Sequence, residues 1–273
     1  MSPVKSRSRK IRVVTLNVKG LENDWFGRRC GAVINGLKKL RPDVVCLQEA
    51  TVRSSYTCNG SNHYDQARVV REGIGLKASA FAPYGNPIEV MSHDQGGVAI
   101  LARWPIINVH NRRLPSGCSG ASDARVALVA TVDCPERPLS LVTTHLSWRP
   151  HETETRLMQT GLILEEFTRT LWTRPKARAV FLADLNATED EPAVELCRKY
   201  LVDAFRACNP DDPGHTWSNK NTWTKPWSFI DRRIDYVFCP TDATVLKARV
   251  VLDKPDPIFA SDHFGVLADI LFH

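Results

Sequence analysis

The chain has 273 residues, 43% of them hydrophobic and 24% charged. These are globular values; they exclude a mostly disordered or collagen-like polypeptide, and no apolar run reaches the roughly 18 residues a membrane helix needs. The 36 Lys and Arg residues against 30 Asp and Glu give a formal charge of +6, a mild excess that suits a polyanionic or phosphorylated ligand.

The opening stretch, MSPVKSRSRK, is basic and polar and lacks the apolar core of a secretory signal. Residues 1–10 read as a flexible tail, either without a role or as a phosphate-attracting arm. Residues 11–273 carry no linker, repeat or break in composition and read as a single domain. The 8 cysteines include no C-x-x-C pair, which argues against a zinc ribbon or finger. Without an export signal, reduced thiols in a cytoplasmic setting are expected. Cys58 and Cys118 fall in loop-like sequence, so one disulfide stays open as an alternative.

In chain order, Ile11–Asn17 reads as a buried strand: short, apolar and β-branched. Gly27–Leu40 follows as a helix, with Cys30, Val33, Ile34, Leu37 and Leu40 at helical spacing. Pro42 blocks its continuation, and Asp43–Glu49 is a second strand, a βαβ-like start. Residues 50–62 are polar and read as a loop, with a helix from about His63 to Glu72. Short runs at Gly96–Ala102, Pro105–His110, Ala124–Asp133 and Leu139–Leu146 are separated by turn residues and read as antiparallel strands. Glu152–Leu171 is helical, Ala177–Ala187 a strand, and Glu191–Leu201 a short helix with Pro192 in its first turn. Asn209–Trp227 reads as a long loop, and Arg232–Phe238, Ala248–Asp253 and Gly265–Phe272 close the chain as strands. Two sheets packed face to face with helices outside is the expected architecture.

The polar residues fall in a pattern. Asn17, Gln48 with Glu49, His145, and Asp184 with Asn186 each end an apolar strand, and Asp262-His263 lies just before the last one. Any one of these endings is explained by turn formation alone. Together they gather acid, amide and imidazole groups at strand ends, which are rigid and open to water. Asp184 and Asn186 stand two residues apart, so on a strand both reach one ligand. Adding Glu49 gives the few hard oxygen donors that a magnesium site uses.

TLNVKG, PDVVCLQE, TTHLSW, LADLNA, RRIDYVF and SDHFG occur in this order over Thr15–Gly265. Together they resemble the endonuclease/exonuclease/phosphatase superfamily. Its members share a fold and metal site but not a substrate: they include pancreatic-type deoxyribonuclease, apurinic endonuclease, tyrosyl-DNA phosphodiesterase, deadenylases, neutral sphingomyelinases and inositol-phosphate phosphatases. The resemblance implies an α/β fold, a four-layer α/β/β/α sandwich of two packed mixed sheets flanked by helices. It implies Mg2+ as cofactor, with Mn2+ able to substitute. Glu49 would be the main metal ligand, Asn17 would hold the metal or its water, and Asp262 would support the site. Asp184 and Asn186 would position the attacking water and bind the phosphate, His263 would activate that water, and Asp235 would orient His263. His145 matches a histidine of the deoxyribonuclease and sphingomyelinase branches that stabilises the phosphate or protonates the leaving group; apurinic-type enzymes usually differ there. The Gly that usually precedes the Asp of the LADLNA motif is Ala183 here.

The substrate is less legible. Arg125, Arg232 and Arg233 are candidates for phosphate contact, Trp217, Trp223 and Trp227 for base stacking, and Asn221 for substrate binding. The expected activity is hydrolysis of a phosphoester, on nucleic acid. The alternatives are a neutral sphingomyelinase-like lipid phosphodiesterase, a small-molecule phosphatase and a non-catalytic binding module. No heptad or interface patch stands out, so a monomer without a protein partner is expected.

Overall fold

A computed structural model of the chain describes residues 10–20, 26–57, 60–85, 94–117, 124–172, 178–224 and 230–273. Residues 1–9 of the expected tail, Cys58, Cys118 and Trp227 lie outside these ranges. The chain begins with β1 (Lys10–Asn17), crosses through α1 (Phe26–Leu40) and returns as β2 (Val44–Thr57), parallel to β1. A hairpin adds β3 (Gly60–Asp65), followed by α2 (Gln66–Ile74), β4 (Ala78–Pro83) and β5 (Asp94–Ala102). Next come β6 (Ile106–Leu114), β7 (Arg125–Val132) and β8 (Leu139–His145), then α3 (Thr153–Trp172) and β9 (Arg178–Asp184), parallel to β8. The rest is α4 (Pro192–Tyr200), β10 (Val202–Asp203), α5 (Ala204–Cys208), β11 (Asp235–Cys239), β12 (Thr244–Val251) and β13 (Gly265–Leu271).

The described strands form two sheets. The seven-stranded sheet has the order β12-β13-β1-β2-β5-β4 with β3 paired to β2, and the six-stranded sheet has the order β10-β11-β9-β8-β7-β6. Each sheet holds one parallel pair joined by a helix, and antiparallel neighbours elsewhere. A parallel pair needs a long crossover, and α1 and α3 supply it.

Strand periodicity builds the layers. On β1, Ile11 and Val13 face the second sheet, whereas Val14 and Leu16 pack with Val33 and Leu37 of α1. On β9, Val180 and Leu182 face the first sheet, whereas Ala179, Phe181 and Ala183 pack with Phe167 of α3 and Val194 of α4. The result is the expected α/β/β/α sandwich. Ala183, where the family usually has Gly, is fully buried within β9, paired with Thr144 and Tyr236.

The same alternation places the polar strand ends. After Val13 the inward positions of β1 are Thr15 and Asn17; after Leu141 those of β8 are Thr143 and His145; after Leu182 that of β9 is Asp184. The intersheet layer therefore turns from apolar to polar at one end. Gln48 marks the change: fully buried, it donates to Thr143 Oγ1 across the sheets at 3.1 Å and to Thr15 Oγ1 at 3.0 Å.

Several elements differ from the sequence reading. Residues 50–57 continue β2, and β3 pairs with them, where a loop was expected. The next helix starts at Gln66 rather than His63, because Asp65 caps it by accepting from Arg68 N–H at 3.0 Å; Gly75, left-handed at φ 77°, ends it. Strands β4 and β10 and helix α5 carry too little periodicity to be read. The described cysteines are free. Among the described residues, no helix is long and apolar enough to cross a membrane.

Candidate active site

The polar end of the intersheet layer opens into a cleft of about 670 Å³, lined by Glu49, Arg125, His145, Asn186, Asp262 and His263 among others. The registers bring these groups together. Asn17 stands beside Gln48 on the parallel pair β1–β2, and His145 beside Asp184 on the parallel pair β8–β9. Asp235, the first residue of β11, stands opposite Asp184.

Asn17 joins the two sheets. Its Nδ2 donates to Glu49 Oε1 at 3.0 Å and to Asp184 Oδ2 at 2.9 Å, while its Oδ1 accepts from Lys19 N–H at 2.9 Å. The amide nitrogen, not the oxygen, therefore faces the carboxylates. Glu49 sits at an irregularity of β2, where the register to β5 shifts between Leu47 and Ala50, with φ at 56°. Asn186 is left-handed too, at φ 49°. Its N–H donates to Asp184 Oδ1 at 2.9 Å and its Nδ2 to Leu146 C=O at 3.1 Å. Non-glycine residues held in this region store strain, and such strain gathers at functional sites.

His263 Nδ1 lies 2.9 Å from Asp235 Oδ2 and 3.7 Å from Asp184 Oδ2. Burial works to lower the His263 pKa, but the charges of Asp235 and Asp184 outweigh it and raise it to about 10. Asp184 is pushed up to about 7, by burial first and by the Asp235 charge second, with His263 and the Asn17 hydrogen bond opposing. His145 moves the other way, well below the usual histidine value, through burial and the positive charges of Arg125 and His263. Asp262 Oδ2 is paired with Lys19 Nζ at 2.9 Å, and its Oδ1 accepts from Ser261 Oγ at 3.1 Å.

The donor set suits a hard divalent cation. Carboxylates converge from both sheets, and Asp184, Asp235 and His263 offer ligand atoms within 4.8 Å of one another. Asp235 Oδ1 is buried without a hydrogen-bond partner.

Of the expected substrate contacts, Arg125 and Trp217 line the cleft. Arg125 lies over the Tyr84 ring at 5.3 Å, and Trp217 meets the His263 ring edge-on at 4.8 Å. Asn221 does not reach the cleft. It is fully buried; its Nδ2 donates to Ser261 C=O at 2.7 Å and its Oδ1 accepts from Trp223 N–H at 3.0 Å. Its Nδ2 fastens the loop to the segment carrying Asp262 and its Oδ1 braces the loop's own turn at Trp223, so the substrate-binding expectation for Asn221 is corrected to a structural one. Trp223 folds back, donating to Phe259 C=O at 3.0 Å. Arg232 lines the cleft, but Arg233 is buried against Asp203 and Glu189. The sequence reading missed Lys19, Tyr84 and Trp148. Lys19 and Trp148 lie inside the quoted motifs without a signal of role, and Tyr84 lies in a segment with no recognisable pattern.

The family model described as Endonuclease/Exonuclease/phosphatase family matches residues 14–263. An endonuclease/exonuclease/phosphatase from Beutenbergia cavernae DSM 12333 superposes with a TM-score of 0.73 at 25% identity, covering 97% of this chain and 72% of that one. Truncated Caenorhabditis elegans TDP2 gives 0.73 at 20% identity, over 97% and 98% of the two chains. The human Nocturnin catalytic domain with bound sulfate gives 0.72 at 20% identity, over 97% and 95%. No curated protein matches the sequence. With the family model spanning nearly the whole chain and the same sandwich in the solved structures, the chain belongs to the endonuclease/exonuclease/phosphatase family.

Proposed function

We propose that the protein is a magnesium-dependent phosphodiesterase that cleaves nucleic acid with an activated water, manganese being able to substitute. The observation that carries this reading is the Asn17 bridge between Glu49 of one sheet and Asp184 of the other, which gathers the acidic donors and both imidazoles into one cleft. Glu49 would hold the ion, with Asp262 supporting it and Asn17 fixing Glu49 by hydrogen bonding. When bound, the ion would supply charge neutralisation at an anionic phosphodiester and at its transition state.

The chain's own groups supply the rest. Asp184 and Asn186 orient the water and the phosphate. His263 accepts the water's proton at Nε2, because Nδ1 is engaged by Asp235. The carboxylates that make His263 a strong proton acceptor also keep it protonated near neutral pH; neutralising part of their charge lowers it toward the range a base needs. His145 serves the phosphate from the neighbouring strand β8. A nucleic-acid substrate is supported by Lys19, Arg125 and Arg232 along the cleft, and by Trp148, which lines it and is 54% exposed.

The test is one panel assayed with magnesium, with manganese and with chelator: single- and double-stranded DNA, RNA, a 5′-tyrosyl-ended oligonucleotide, sphingomyelin and inositol phosphates. Metal-dependent cleavage of the nucleic acids is expected. Turnover of sphingomyelin or inositol phosphate alone would refute the nucleic-acid assignment. Metal binding without turnover of any substrate would leave a binding module.

A further inference from the structure

The Tyr84 hydroxyl lies between two site groups. It accepts a hydrogen bond from Glu49 N–H at 3.0 Å and lies 2.9 Å from His145 Nδ1. The backbone N–H can only donate, so the phenol oxygen is the acceptor there. With its hydroxyl proton directed at His145 Nδ1, Tyr84 would leave Nδ1 the bare nitrogen and put the ring proton on Nε2. Nε2 points to the reaction side, 3.5 Å from Asp184 Oδ2. His145 is 5% exposed, and its ring is fixed edge-on against Tyr84 at 5.8 Å.

We propose that Tyr84 is a positioning residue that holds His145 as its neutral Nε2–H tautomer, so that His145 donates a hydrogen bond to a non-bridging phosphate oxygen and does not protonate the leaving group. The inference rests on the phosphoester reading and deepens it. A carboxylate on Nδ1 would favour imidazolium, as Asp235 does for His263; a phenol cannot, because it is neutral and offers its own proton. The two histidines therefore divide the work by their Nδ1 partners. Asp235 makes His263 a strong proton acceptor, whereas Tyr84 gives His145 no negative charge on Nδ1 to favour an imidazolium. Burial first, and then the positive charges of Arg125 and His263, lower the His145 pKa. A neutral imidazole N–H is a very weak acid but a good directional donor, and a preorganised donor of this kind is worth roughly 10²–10³ in kcat.

The first measurement needs no variant. ¹⁵N NMR of histidine-labelled wild-type protein in chelator is expected to give His145 with a protonated Nε2 and a bare Nδ1. A protonated Nδ1 overturns the inference. The second measurement is Tyr84→Phe, expected to convert His145 to a tautomer mixture and to lower kcat about tenfold with little change in KM. The drop should be alike for bis(4-nitrophenyl) phosphate, whose leaving group needs no proton, and for a labelled oligonucleotide, whose leaving group does. A loss confined to the oligonucleotide makes His145 an acid and overturns the proposal. The double variant Tyr84→Phe/His145→Ala should be no slower than His145→Ala; additive losses place Tyr84 outside the His145 pathway. Wild-type protein that cleaves neither probe with magnesium overturns the phosphoester reading and the role of His145 with it, whereas cleavage with a protonated Nδ1 overturns only the tautomer assignment.

Discussion

Replacing Asp235 by Asn keeps the shape of the side chain and removes the charge that His263 faces. In the wild type His263 rises from 6.5 to about 10, against burial, with Asp235 the leading cause of the rise. A folded value above the unfolded one means a stabilising contribution that is complete below pH 6.5 and lost as pH climbs through about 10. At roughly 1.4 kcal/mol per unit, that contribution is at most about 5 kcal/mol. Asp184, 3.7 Å away, shares the same positive charge, so about 2–4 kcal/mol is the expected loss between pH 7 and pH 10. In Asp235→Asn burial is opposed only by the charges of Asp184 and Asp262, the His263 value falls, and the slope flattens. Urea denaturation in chelator at pH 7, 8.5 and 10 measures this for both proteins. Parallel curves for wild type and variant would refute the claim that the Asp235 charge sets the protonation of His263. The same variant should lose about 10²–10⁴ in turnover at neutral pH if His263 is the base, by analogy with other carboxylate–histidine pairs.

Magnesium should stabilise the fold with the logarithm of its concentration, by about 2.7 kcal/mol at a hundred times its dissociation constant, and so raise the thermal midpoint; Glu49→Gln should abolish the response in a thermal-shift titration. Gln48→Ala strands the hydroxyls of Thr15 and Thr143 and opens a cavity between the sheets, so denaturant unfolding should show a loss of about 2–4 kcal/mol. Asn221→Ala should lower stability by about 1–3 kcal/mol and reduce kcat through displacement of the segment carrying Asp262; a rise in KM with unchanged stability would return Asn221 to the substrate site.

The two-residue period of the strands made much of this arrangement legible in advance. Apolar runs ending in Asn17, His145 and Asp184 announce both the strands and the face on which their last side chains lie. What stayed hidden depends on contacts between distant segments. Residues 52–57 and 60–65 pair as antiparallel strands through backbone groups, so their polar composition reads as loop. Tyr84 enters the site from β4's end by touching Glu49 and His145, residues 35 and 61 positions away. Asn221 sits among Trp and Asn residues that suggest a binding lip, and only its two backbone partners reveal that it faces inward. Lys19 follows Asn17 by two positions, but its pairing with Asp262 spans almost the whole chain.

The Asn17 bridge ties the reacting groups to the alignment of two separately hydrogen-bonded plates. On the proposed reading neither plate alone would hold a working set, so turnover would report how the plates are seated. A slip of about 1 Å is enough to cost on the order of a hundredfold in rate. Substitutions among the apolar side chains that separate the plates, such as Val98, Leu128 or Val180, should therefore silence the molecule while its secondary structure still looks intact.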